Sequence, residues 1–111
     1  MRKLNLPKLF RKDWLKALES GEYQQGQNNL YNRGKYCCLG VAGCVVGVDK
    51  KILSRHSLPA YFDDEIRNKF PKLLRTSGDS SFALTLANKN DSGKYTFKEI
   101  AKFIRKNTKG V

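Results

Sequence analysis

Apolar residues recur at helical spacing near both ends of the chain. Between Leu6 and Ser20, residues Phe10, Trp14, Ala17 and Leu18 fall at i, i+4, i+7 and i+8, one face of an amphipathic helix. Pro7 suits the first helical position, and Gly21 is placed to end the helix in a left-handed cap. Near the other end, Thr96 and Glu99 have the spacing of a capping box. The helix they open turns Phe97, Ile100, Ala101 and Ile104 inward and its lysines outward.

The middle of the chain is less regular. Residues 22–38 are poor in helix formers and carry an Asn-Arg-Gly turn signal, which predicts a short hairpin or extended pair over 29–38, turning at Asn32–Lys35. Leu39 to Val48 fits two periods. As a helix it sets Cys37, Val41, Cys44, Val45 and Val48 on one face and Gly40, Gly43 and Gly47 on another; as a strand it alternates Cys38, Ala42, Cys44 and Val46 against Leu39, Val41 and Val45. Its β-branched content favours the strand, and its glycine spacing favours a helix packed closely on a neighbour. Residues 49–61 read as loop, with Pro59 discouraging helix at Leu58. Asp63, Asp64 and Glu65 start a helix carrying Ile66 and Phe70, which Pro71 ends. Residues 76–81 read as loop, Phe82 to Ala87 as a short helix, and Asn-Asp-Ser-Gly (90–93) as a helix-stop turn. The expected fold is α+β and mainly helical, with about four to five helices and a short β-hairpin before the Cys-Cys helix. Residues 1–111 are expected to form a single compact domain with basic N- and C-terminal segments.

Charge changes this picture more than composition does. The 40 % hydrophobic and 11 % aromatic content supports one core and argues against disorder, whereas the net charge of +12 needs a location. Residues 1–16 hold six basic side chains against Asp13, and residues 94–111 hold six against Glu99, so each end carries +5. Packed side by side, the two ends would make one basic surface for phosphates or for an acidic partner. No apolar run approaches the roughly 20 residues of a membrane span. The N-terminus lacks the apolar core and cleavage site of a secretory signal, so no membrane association and a cytoplasmic setting are expected.

Several chemistries can be weighed by spacing. The three cysteines suit no disulfide framework: Cys37 and Cys38 are adjacent, and in a helix Cys37 and Cys44 stand roughly 10 Å apart. Zinc fails because the adjacent pair and the i+6 spacing lack a C-x₂₋₄-C knuckle. No GK[ST] opens a phosphate loop. Residues 88–99 match the twelve-residue EF-hand register, with Asn88, Asn90, Ser92, Gly93 and Glu99 in place, but only one carboxylate falls at a ligand position. No metal site and no cofactor are expected. A thiol nucleophile at Cys38 or Cys37 would need His56, the sole imidazole, with Asp91 or Asn90 to orient it. With Gln24 and Gln25 upstream, that arrangement is similar to the oxyanion-hole glutamine and helix-cap cysteine of papain-like enzymes. Against it stands the ordinary use of buried cysteine as a small hydrophobe.

The motifs taken in order resemble a family of small, largely phage-encoded proteins of uncharacterised role. Trp14, Ala17, Leu18, Ser20, Gly21, Tyr23 and Gln25 match W-x-x-A-L-x-S-G-x-Y-x-Q. Tyr36 through Val41 match Y/F-C-C-L-G-V, and Asn90, Asp91, Gly93, Phe97, Glu99, Ile100 and Ala101 match N-D-x-G-x-x-F-x-E-I-A with one extra residue before the last helix. The family continues after C-C-L-G-V with a helical L-C-D-L, which implies a helix at 39–48 even though this chain reads Ala-Gly-Cys-Val there. The resemblance implies a phage-type accessory role, such as blocking a host defence, in the host cytoplasm. The leading expectation is a non-enzymatic binding protein for an anionic nucleotide-like or nucleic-acid ligand, using Tyr23, Gln25, Arg33, Lys35 and Tyr36. A cysteine-dependent enzyme and a protein that docks an acidic host protein are the alternatives.

Overall fold

A computed structural model describes residues 3–79 and 81–111. The chain begins with a short strand, β1 (Leu4–Leu6), followed by the helix α1 (Lys8–Glu19). Pro7 lies one position ahead of the helix instead of at its first residue, because the chain stays extended up to that point. Leu6 pairs with Gly110, and the Lys8 amide donates to the Val111 carbonyl. Gly21 follows α1 with φ of +80°, as its position predicts.

Next come β2 (Gln24–Gln25), β3 (Tyr31–Asn32) and β4 (Lys35–Tyr36), in the spatial order β2-β4-β3. β3 and β4 form the predicted antiparallel hairpin, with Arg33 at φ 50° and Gly34 at φ 84° in a two-residue turn of the I′ kind. The sequence does not announce β2, which pairs parallel with β4 through Gln24–Lys35 and Gln25–Tyr36.

The ambiguous glycine-rich segment is the helix α2 (Cys38–Val45). Close approach decides it: a Cβ on Gly40 would overlap the carbonyl oxygen of Leu30. That oxygen also accepts from the Cys37 amide, so the hairpin is fastened to the helix at the same point. Both faces of α2 are covered, with Leu39, Val41 and Ala42 fully buried.

Residues 49–61 depart from the expected loop. They contain a one-turn helix, α3 (Lys50–Leu53), which Asp49 caps by accepting from the Lys51 amide, and a 3₁₀ turn at Pro59–Tyr61. The acidic start at Asp63 opens only four residues of helix, α4 (Asp64–Arg67). In the expected loop 76–81, Ser80 lies outside the described residues. Ser81 caps α5 (Phe82–Asp91), which runs a full turn beyond the predicted Ala87. The capping box of Thr96 and Glu99 is present and opens α6 (Phe97–Asn107), with Phe97, Ile100, Ala101 and Ile104 buried. The last strand, β5 (Thr108–Gly110), pairs parallel with β1.

The fold is α+β and mainly helical. α1 packs chiefly on α6 and α2, and α5 on α2 and α6. The radius of gyration of 12.5 Å matches the ~13 Å of one compact domain of this length. One core holds Trp14, Leu15, Leu18, Leu39, Leu86, Ile100 and Ile104.

Because backbone blocks the space at Gly40, Gly40→Ala is expected to cost more than about 3 kcal/mol in urea unfolding. Gly43→Ala, whose Cβ would meet only the tip of the Leu53 side chain at 2.5 Å, is expected to cost less than half as much.

Candidate functional site

The side chain of Asn90 holds together the ground around β2. It is fully buried at the C-terminal end of α5. Its Oδ1 accepts from the Cys38 amide (3.2 Å) and from Gln25 Nε2 (3.1 Å). Its Nδ2 donates to the Gly26 carbonyl (2.7 Å) and to Asp91 Oδ1 (3.2 Å). All four hydrogen-bonding positions of the amide are thus filled. Asp91 extends the network by accepting from the Asn28 amide, and Gln25 Nε2 donates also to the Tyr95 carbonyl. Asn88 to Asp91 are therefore the last turn of a helix and not the start of a cation-binding loop. Asn90 and Asp91 act here as tethers.

Over this floor lies an open cleft of about 460 Å³, bounded by β2, β4 and the link between α5 and α6. Gln25, Gln27, Lys35, Lys94 and Tyr95 line it, with Asn90 beneath, and no carboxylate is among its lining residues. Tyr95 also lines a second groove of about 360 Å³ on α5 and α6, together with Lys89, Glu99, Lys102, Phe103 and Lys106. There the Lys89 ammonium stands 4.5 Å from the Tyr95 ring centre and 4.4 Å from that of Phe103.

The five residues expected to bind a ligand separate into groups. Gln25 and Lys35 meet in the cleft. Tyr36 lies inside an aromatic cluster, 5.2 Å from Tyr23 and 4.8 Å from Tyr31 between ring centres, and all three pack on the core. Burial raises the pKa of the Tyr23 and Tyr36 phenols, and Cys44 beside them adds to the effect. Arg33 is exposed at the hairpin turn and lines neither cleft nor groove. Lys94 and Tyr95 are not legible as site residues in the sequence because they reach the hairpin from some 60 residues downstream, a distance no local pattern spans.

The thiols are placed differently from a nucleophile. Cys37 caps α2, its Sγ accepting from the Gly40 amide at 3.3 Å, and burial drives its pKa up to about 12. Cys38 is fully buried, its pKa also raised by burial, and its thiol faces the Leu86 carbonyl at 3.7 Å. The His56 ring packs edge-on against Phe62 at 4.6 Å between centres, and no hydrogen bond joins it to either cysteine among the described residues. The backbone amides at the start of α2 favour a thiolate at both positions, but burial outweighs them.

The two basic termini do lie together. β1 pairs with β5, and α1 packs on α6. Arg11 donates to Thr108 Oγ1 at 2.9 Å and to the carbonyls of Arg105 and Thr108, while Arg105 forms an ion pair with Glu19 at 2.5 Å. Lys12, Lys16 and Arg105 share a shallow groove of about 540 Å³ between the two helices. Lys102 and Lys106 occupy the other flank of α6, beside Lys89. No helix among the described residues is long and apolar enough to cross a membrane.

Comparison with known proteins adds one likeness. A family model described as a domain of unknown function (DUF8296) matches residues 7–56, from Pro7 to His56. The match takes in α1, the hairpin and α2, hence the tryptophan and Cys-Cys motifs, and stops before Asn90. No curated protein matches the chain, and no solved structure does.

Asn90→Ala strands a buried amide N–H and a carbonyl, and is expected to lose about 3 kcal/mol in chemical denaturation. Cys37 and Cys38 are expected to resist a thiol reagent below pH 9 in the native protein and to react fully in denaturant. A thiol held at about 12 when folded and at 9.0 when unfolded stabilises fully below pH 9, and that stability fades as pH rises toward 12. Unfolding followed across pH 8–11 measures the loss.

Proposed function

We propose that this protein is a non-enzymatic binding protein for a polyanion, nucleic acid above all, which it captures on the face built by α1, α6 and the end of α5. The observation that carries this reading is the joining of the two +5 ends of the chain through β1–β5 and α1–α6. The nearby acids are fewer than the cations, and two of them are engaged. Glu19 pairs with Arg105, and Glu99 closes the capping box of α6. Lys12, Lys16, Lys89, Lys102 and Lys106 make no ion pair among the described residues. Exposed ammonium groups in excess of the acids beside them attract phosphate and release condensed counterions on binding.

Burial of Cys37 and Cys38 supports a binding role over thiol chemistry. The family resemblance suggests a phage-type accessory role in the host cytoplasm, with counter-defence as its purpose. An acidic host protein would meet the same lysines. It would show fewer contacts of the counterion-releasing kind, and so a shallower dependence on salt.

Fluorescence anisotropy with a labelled oligonucleotide tests the proposal. The logarithm of the binding constant is expected to fall with the logarithm of salt concentration at a slope of about −3 or steeper, as roughly four phosphate contacts require. Lys102→Glu combined with Lys106→Glu should weaken binding at least about tenfold and flatten that slope by about 2, with the circular dichroism of the fold unchanged. A slope near zero, or full affinity in the double variant, would overturn the reading.

A further inference from the structure

We propose that the cleft beside β2 and β4 is the seat for one unpaired nucleotide, and that the polyanion of the preceding section is a single strand whose backbone follows the α5–α6 groove. The inference rests on that polyanion reading and adds which kind of nucleic acid is bound and where a base would go.

Tyr95 joins the two depressions. It is 39 % exposed and lines both the cleft and the groove, which makes it the wall between them. Lys89 lines the groove and not the cleft, so its ammonium covers Tyr95 from the groove side. On the cleft side Tyr95 meets Gln25, whose Nε2 donates to the Tyr95 carbonyl, and Gln27, Lys35 and Lys94 complete the lining. A nucleotide needs those three elements together: a ring to stack on, amides for base edges and cations for phosphate. The volume of about 460 Å³ falls within the ~300–1,000 Å³ usual for small-ligand sites.

The cleft is also prepared in advance. Gln25 is held by two hydrogen bonds from its Nε2, to Asn90 and to the Tyr95 carbonyl, and Asn90 is itself saturated. Orienting the amide therefore costs little when a ligand arrives. The N-terminus of α6 at Thr96 is already occupied by Glu99, so the attraction for phosphate comes from Lys35 and Lys94.

Beyond the wall, Lys89, Lys102 and Lys106 stand in one groove with Phe103 and Tyr95, three cations against the single carboxylate of Glu99. Cations interleaved with aromatic rings suit a strand whose bases are free to leave the backbone line. A duplex keeps its base faces stacked and its pairing edges closed, so it would use the lysines alone.

The experiment compares a labelled single strand of about 12 nucleotides with the duplex of the same sequence at one salt concentration, in DNA and in RNA to tell the two sugars apart. The single strand of at least one sugar is expected to bind at least about tenfold more tightly than its duplex. Tyr95→Ala should weaken single-strand binding about tenfold, the order of one base–aromatic stack, and leave duplex binding unchanged. The Tyr95 carbonyl still accepts from Gln25 in that variant, and Tyr95→Phe, which keeps the ring, should retain single-strand affinity. Duplex binding as tight as single-strand binding, or full single-strand affinity in Tyr95→Ala, overturns the inference. The polyanion reading would survive either result if Lys102→Glu with Lys106→Glu still weakened binding and flattened the salt slope. Failure of both oligonucleotides to bind overturns both.

Discussion

The fold turns on a single buried amide. Asn90 reaches from the end of α5 to the first amide of α2 and to the backbone leaving β2, and the next residue, Asp91, fixes the loop at Asn28. The Cys38 peptide extends the connection, since its carbonyl accepts from the Trp14 indole at 3.0 Å. Three elements distant in sequence are thereby set in register: α1 by Trp14, α2 by the Cys38 backbone, and α5 by Asn90. A buried amide with every donor and acceptor matched adds positional specificity that apolar packing lacks, because a slip of one residue leaves several groups unpaired. The cleft beside β2 inherits its shape from this constraint.

The same constraint explains the adjacent cysteines. The chain must pass from an extended strand into a helix in a space closed by the Leu30 carbonyl, with room for a small side chain at each step. Cys37 supplies a soft acceptor for the Gly40 amide, and Cys38 fills a pocket against Leu86. Gly40 then lets the helix lie against the hairpin backbone. Cys-Cys-Leu-Gly-Val is in this sense a packing motif, with each small residue set by the backbone it passes.

Much of this was legible in the sequence where the signals are local. The face of Phe10, Trp14 and Leu18, the turn at Arg33–Gly34 and the capping box of Thr96 and Glu99 all act within a few residues, and each predicted element forms. Pairings across the chain were not legible. β1 and β5 are three residues each and lie a hundred positions apart, so neither carries a recognisable strand period. Asn90 misled the reading for a related reason. Asparagine is a weak helix former and its neighbours spell a turn, but tertiary hydrogen bonds carry α5 one turn further. Half of the cleft followed from the hairpin, through Gln25 and Lys35. The other half, Lys94 and Tyr95, enters only through the path of the chain after α5.

The charge distribution poses a problem that a neutral partner would not solve. Packing α1 on α6 brings Lys12, Lys16, Lys102 and Lys106 to the flanks of one helix pair, and like charges there raise the energy of the folded state. The fold relieves part of this internally: Arg11 is engaged by Thr108 and two carbonyls, and Arg105 by Glu19. Those two arginines sit at the α1–α6 seam, where they help hold the helices together. The lysines on either side make no ion pair among the described residues, so part of their repulsion remains in the folded state. A ligand that removes repulsion from the folded state stabilises it by mass action, beyond the contacts it makes. The division of labour follows from side-chain chemistry. Planar guanidinium groups with several fixed donors suit the seam, and flexible ammonium groups suit a phosphate chain of irregular path. α1 and α6 divide their cations in this way, arginine at the seam and lysine on its flanks.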